Sequence, residues 1–122
     1  MVVRIKNLRV GTIIGVHERE RRRKQDVVIN VELAFDGRRA AESDRIEDTI
    51  DYQALADRIA AEVGASRFFL LEKLADCVLR IVMEAPKLQR ATVEVDKPNA
   101  LRLADSVSVS ASARRPSRAR PR

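Results

Sequence analysis

The side chains available for chemistry in this chain are carboxylates, lysines, arginines and a single tyrosine. One histidine, His17, leaves no pair of imidazoles for a two-histidine metal site and argues against a catalytic triad. One cysteine, Cys77, excludes an internal disulfide and any cysteine-cluster metal site. No glycine-rich phosphate loop is present. Four residues stand out by context. Glu72 follows Leu70-Leu71 where a helix should begin; a carboxylate in a first turn is also favoured simply by the helix dipole. Lys97 ends a strand-like run and precedes Pro98, which restricts its backbone; a lysine there is otherwise just solvated. Tyr52 stands at the entry to a helix, where an amphipathic side chain needs no special role. Glu20 is an acid among arginines, and a surface ion pair would account for it. Residue type alone does not join these four into a reaction.

The elements that must position them can be read from periodicity. Val27, Ile29, Val31, Leu33 and Phe35 alternate with more polar neighbours, as in a strand with one buried face. Ala91, Val93 and Val95 alternate with Thr92, Glu94 and Asp96, and Val107, Val109, Ala111 and Ala113 with a column of serines. A fourth, less regular strand spans Val3 to Ile14, where Gly11 suggests a bulge and Gly15 a turn. Two helical patterns lie between the second and third strands. Leu55, Ile59 and Val63 mark the first, with Gly64 as its expected stop. Leu70, Leu71, Leu74, Val78, Ile81 and Val82 mark the second, which Pro86 ends. Cys77 lies beside that face and reads as a small buried hydrophobe.

The order strand–strand–helix–helix–strand–strand predicts an α+β fold, a four-stranded antiparallel sheet with two helices on one face. The uncovered face carries Asn30, Glu32, Thr92, Glu94 and serines. It is too polar to pack dry, and the sheet would leave open edges. Closing several such sheets into a shared barrel removes the edges, so the pattern points to a ring oligomer.

At 122 residues the chain fits one domain. Its net charge of +6 suggests nucleic acid or a membrane surface, but five arginines fall within residues 114–122. Without them, 19 basic residues face 18 acidic ones. We therefore expect a catalytic domain over residues 1–113 and a basic, disordered tail over 114–122. Aromatics are only 3% of the chain, too few for a base-stacking surface, so a nucleic-acid partner is not expected. No apolar run is long enough to cross a bilayer, and charges interrupt the N-terminus where a signal peptide needs an apolar stretch. The expectation is a cytoplasmic protein with no membrane partner.

Several segments together carry a resemblance. They are Arg4-Ile5-Lys6-Asn7-Leu8-Arg9, Ile14-Gly15, Gln25 through Val31, Arg67-Phe68, Leu70-Leu71-Glu72-Lys73-Leu74, and Ala91 through Pro98 continuing to Ser108. In these the chain resembles the dihydroneopterin aldolase family over nearly all of residues 4–113. The stretch from Asp96 to Ser108 is similar to the branch that inverts the substrate's C2' centre rather than the branch that cleaves it. The resemblance implies the tunnelling fold, with two tetrameric rings stacked into a homo-octamer and active sites between adjacent subunits. It implies no metal and no cofactor.

The same resemblance assigns roles. Glu72 would anchor the pterin, accepting two N–H bonds from its 2-amino-pyrimidinone edge. The backbone at Leu71, and at Ile50 of a neighbouring subunit, would complete the ring's hydrogen bonds. Lys97, Tyr52 and Glu20 would be catalytic. The implied substrate is a 7,8-dihydropterin with a trihydroxypropyl side chain. Loss of the 2'-hydroxyl proton lets the C1'–C2' bond break, and the electrons flow into the ring's own imine. Such a substrate is its own electron sink, so a proton shuttle and a rigid clamp suffice. Rebinding of the aldehyde on its other face inverts C2'; its escape is the aldolase reaction of folate biosynthesis, which releases glycolaldehyde and 6-hydroxymethyl-7,8-dihydropterin. A triphosphate on the side chain would need cations, and Arg19, Arg21, Arg22, Arg23 and Lys24 flank Glu20.

Overall fold

The computed structural model describes residues 1–116. Four strands, β1 (Val2–Thr12), β2 (Gln25–Phe35), β3 (Leu88–Pro98) and β4 (Ser106–Arg114), form one sheet. Its spatial order is β1-β2-β3-β4, and every neighbouring pair is antiparallel. Between β2 and β3 run α1 (Arg38–Ser43), a single 3-10 turn (Ile46–Asp48), α2 (Tyr52–Ala65) and α3 (Leu71–Met83).

The period-two pattern sorts the sheet's faces as expected. Val27, Ile29, Val31, Leu33, Ala91, Val93 and Val95 are all buried. Against them α3 lays Leu71, Leu74, Ala75, Val78, Leu79, Ile81 and Val82, an almost continuous apolar stripe at helical spacing. It covers β3 and β4, while α2 covers β1 with Ile59 and Val63. Each fully buried Leu, Ile or Val contributes about 1.5–3 kcal/mol of burial free energy. Asp51 caps α2, its carboxylate accepting from the Ala54 amide at 3.0 Å.

The opposite face carries polar ladders. Thr92 bonds Ser112 at 2.9 Å, Ser106 donates to Asp96 at 2.8 Å, and Ser108 donates to Glu94 at 3.0 Å. Strands β1 and β4 are the sheet's two outer strands. Among the described residues, no helix is long and apolar enough to cross a membrane.

Five local expectations are corrected. The bulge falls between Ile5 and Leu8 rather than at Gly11. Asn7 adopts a left-handed conformation there (φ 55°), and its amide donates to the Asn30 side chain at 2.9 Å. Gly64 does not end α2, which runs on to Ala65. A Cβ on Gly64 would meet the Gly11 carbonyl at 3.7 Å, so the two glycines mark a close helix–strand approach. The end of α2 is satisfied instead by the buried Thr12 hydroxyl, which donates to the Val63 carbonyl at 2.6 Å. The six-residue α1 and the 3-10 turn were not expected; they bury no residue and so leave no periodic signal. Cys77 is half-buried rather than enclosed, with burial pushing its thiol up.

The fifth correction moves the boundary of the folded body. Arg114 closes β4. The Arg115 guanidinium donates to the carbonyls of Ala85 and Pro86 at 2.9 Å, of Leu88 at 3.1 Å, and of Met83. These carbonyls lie where α3 ends and turns into β3, a place where helical acceptors lack intrahelical donors. Arg114 and Arg115 therefore belong to the fold. The remainder of the expected tail, residues 117–122, lies outside the described residues.

Candidate active site

Gly15, just beyond β1, has φ +130°, a conformation that side-chain-bearing residues rarely adopt. A Cβ at this position would lie 2.3 Å from the Glu20 carboxylate. The glycine thus lets the loop fold back on itself and brings Glu20 against the chain. Glu20 then pairs with Lys97, which lies 77 residues away at the end of β3. Both side chains are largely withdrawn from solvent, 18% and 14% exposed. Gln25, the first residue of β2, donates through one amide nitrogen to Glu20 Oε2 at 3.1 Å and to the Ile14 carbonyl at 3.0 Å. The His17 amide donates to Glu20 Oε1 at 3.3 Å.

Burial pushes the Glu20 carboxyl up. The hydrogen bonds from Lys97, Gln25 and the His17 amide outweigh it and hold it at about 2. Glu20 is therefore an anion at any neutral pH and a poor proton acceptor. Its geometry suits it to aim the Lys97 ammonium rather than to act as the base.

This pairing has a consequence for acid stability. The folded carboxyl lies below its ordinary value of 4.5, so Glu20 stabilises the fold fully above about pH 4.5, and that contribution is lost as pH falls toward 2. Urea midpoints of wild type and Glu20→Gln should converge as pH drops from 5 to 2. A constant gap would show that the ion pair does not contribute. The comparison must be a difference, because Asp36 is also held at about 2 by Arg38.

Arg21 fixes the same loop to the segment before α3. Its guanidinium donates to the carbonyls of Arg67 at 2.7 Å, Phe68 at 3.0 Å and Gly15 at 3.2 Å, and it stacks over Phe69. The Gly15 amide also donates to the Phe68 carbonyl at 3.2 Å. These bonds draw the start of α3 toward the Lys97–Glu20 pair. Glu72 stands there, exposed, in the first turn. No ion pair or hydrogen bond engages its carboxylate among the described residues. The amides of Leu71 and Glu72 precede the helical ladder and have no carbonyl partner within it. A carboxylate beside free amides is the donor–acceptor edge that a pyrimidinone ring requires.

Tyr52 and Ile50 are elsewhere. Tyr52 begins α2 and is 54% exposed, and Ile50 lies buried just before it. Ile50 borders a cleft of about 480 Å³ between the start of α2 and the end of α3, with Leu55, Arg58 and Glu84. Arg58 of α2 pairs with Glu84 there. The 13 residues of α3 separate this end from Glu72 by roughly 20 Å, at 1.5 Å per residue. One chain thus pairs Glu20 with Lys97 and bonds their loop to the segment that leads into Leu71 and Glu72, while Tyr52 and Ile50 lie at the start of α2. A cleft of about 980 Å³ beside Lys87, Gln89 and Arg114 holds no acid–base pair of this kind.

The expected phosphate contacts divide as well. Arg21 is occupied in bracing the loop, and Arg22 pairs with Glu18. Lys24 does not line the cleft beside Glu20. Arg19 and Arg23 do. Gly15, Gln25 and Arg21 are the positioning residues that sequence reasoning missed. Gln25 stood only within a segment that carries the resemblance, Gly15 there and as a turn, and Arg21 only as a possible phosphate contact.

The structure is thus a one-sided α+β sheet with a withdrawn Lys–Glu pair at its strand ends. The dihydroneopterin aldolase family model (FolB) matches residues 3–112, and the chain belongs to that family. It is 44% identical over 111 residues to dihydroneopterin triphosphate 2'-epimerase of Escherichia coli K12, covering 91% of this chain and 92% of that one. It is 32% identical over 108 residues to dihydroneopterin aldolase of the same organism, covering 88% of each. The structure of E. coli dihydroneopterin aldolase in complex with neopterin superposes with a TM-score of 0.88 at 31% identity, over 93% of this chain and 98% of that one.

Proposed function

We propose that the chain inverts C2' of 7,8-dihydroneopterin triphosphate by breaking and re-forming the C1'–C2' bond. The Lys97–Glu20 pair beside the start of α3 is the observation that carries the reaction type. The greater identity to the epimerase than to the aldolase of one organism favours inversion over release.

Glu72 and the first amides of α3 grip the pterin edge-on, which sets the side chain over Lys97. In its neutral amine form Lys97, directly or through water, takes the 2'-hydroxyl proton, and the resulting ammonium returns it after the aldehyde turns. Glu20, held by Gln25, the His17 amide and Lys97 itself, keeps the amine aimed. Tyr52 and the Ile50 backbone come from an adjacent chain, because their own chain leaves them at its other end. The polar sheet face and the two outer strands suit closure into a ring of such chains, two rings making an octamer.

Cleavage shares the bond-breaking step, so some aldolase activity accompanies inversion; the similarity to an aldolase structure supports that second reading. Purified protein should be offered dihydroneopterin and its triphosphate, and the pterins separated by chromatography. We expect the C2'-inverted triphosphate as the main product. Hydroxymethyl-dihydropterin as the sole product from both substrates would overturn the epimerase reading in favour of the aldolase.

A further inference from the structure

We propose that Arg19 and Arg23 bind the phosphoryl groups of the substrate's side chain and set the preference for a polyphosphorylated over an unphosphorylated pterin. This rests on the pterin reading above. The loop from His17 to Arg22 is wound as helical turns, with the Glu20 and Arg21 amides bonding the His17 carbonyl and the Arg22 amide bonding that of Arg19. At helical spacing, positions four apart share a face. Glu18 and Arg22 use this to pair with each other. Arg19 and Arg23, also four apart, line a cleft of about 470 Å³ with His17, Glu20, Gln25 and Asn99. Both arginines are exposed, and neither forms an ion pair among the described residues.

The anchored Arg21 between them fixes the loop, so the Arg19 and Arg23 positions stay beside the cleft that both residues line. Glu20 shares that cleft, but Lys97 offsets its charge and donors occupy both its oxygens. The two arginines therefore share a cleft with Glu20, whose carboxylate pairs with Lys97. A pterin seated on Glu72 with its side chain crossing Lys97 would direct its terminal phosphates to Arg19 and Arg23. Guanidinium forks suit phosphate oxygens better than ammonium groups do.

The test is the double variant Arg19→Ala/Arg23→Ala, with Arg22→Ala as control. The ratio of kcat/KM for the triphosphate over free dihydroneopterin should fall roughly 30- to 100-fold in the double variant, about tenfold or less per charge-assisted contact. It should move less than twofold in Arg22→Ala. Calorimetry with inorganic tripolyphosphate gives a readout independent of turnover. The wild type should bind it, the double variant should lose that binding by a similar factor, and Arg19→Lys/Arg23→Lys should recover part of it. Tripolyphosphate affinity equal in wild type and double variant overturns this inference, whatever the catalytic result. Wild type that binds tripolyphosphate through these arginines yet converts neither pterin would instead sink the proposed function and leave an anion site standing.

Discussion

Lys97→Ala lowers kcat for inversion by roughly 10²–10⁴, the range for one acid–base group, with pterin product affinity changed by no more than about threefold. The split follows from where the residue sits. Lys97 lies at the end of β3 and faces Glu20, whereas the proposed ring contacts lie on α3. Losing a group that acts in bond breaking lowers kcat without loosening the ground state. Inversion and any cleavage should fall together, since both begin with the same bond. The variant must first match wild type in light scattering, because a broken assembly would mimic the effect. Mixed assembly sharpens the result. If Tyr52 and Lys97 of one site come from different chains, co-assembled Tyr52→Phe and Lys97→Ala chains should regain roughly a quarter of wild-type activity through sites that receive both intact residues. Near-normal turnover of the single variant would move the search for the base to Tyr52, and the absence of any regain on mixing would place the whole site within one chain.

Glu72→Ala weakens pterin product binding by about 3 kcal/mol, the upper end for hydrogen bonds to a charged group and a factor of about 10² in Kd. The side chain is exposed and makes no ion pair among the described residues, so its removal leaves the fold intact. That separates two roles. A carboxylate that only complements the helix dipole contributes about 0.3–1 kcal/mol to stability and nothing to ligand affinity. Calorimetry showing unchanged pterin affinity, with a small drop in Tm, would assign Glu72 to the helix end.

The sheet was legible because helices cover a single face, so β2, β3 and β4 each write an uninterrupted alternation. The bulge was not, because Asn7 holds its left-handed turn through Asn30, 23 residues away; local chemistry favoured the nearby glycine. Arg115 looked like part of a charged tail because nothing adjacent to it tells of the carbonyls about 30 residues earlier that it satisfies. Individual site residues could be named through the family resemblance, yet their arrangement could not. Spacing does not predict that Glu20 meets Lys97, or that α3 keeps Tyr52 at the far end of the chain. The arginine run shows the limit most clearly. Five neighbouring cations look alike on paper, and only the winding of the loop assigns one to bracing, one to a local pair and two to the cleft, leaving Lys24 outside it.

The anchoring of Arg21 shapes how this loop can change over generations. Between Gly15 and Gln25, the positions held by contact are Gly15 itself, Glu20, Arg21 and Gln25. Val16, His17, Glu18, Arg19, Arg22, Arg23 and Lys24 are exposed. Mutation at these outward positions alters the charge that greets an incoming molecule and leaves the carboxylate where it is. A lineage can therefore try neutral, singly charged or polyanionic side chains one codon at a time, without passing through an ancestor that has lost the reaction. Mutations at the four held positions have no such freedom, since each would disturb the Lys97–Glu20 pair to which the proposed reaction is assigned.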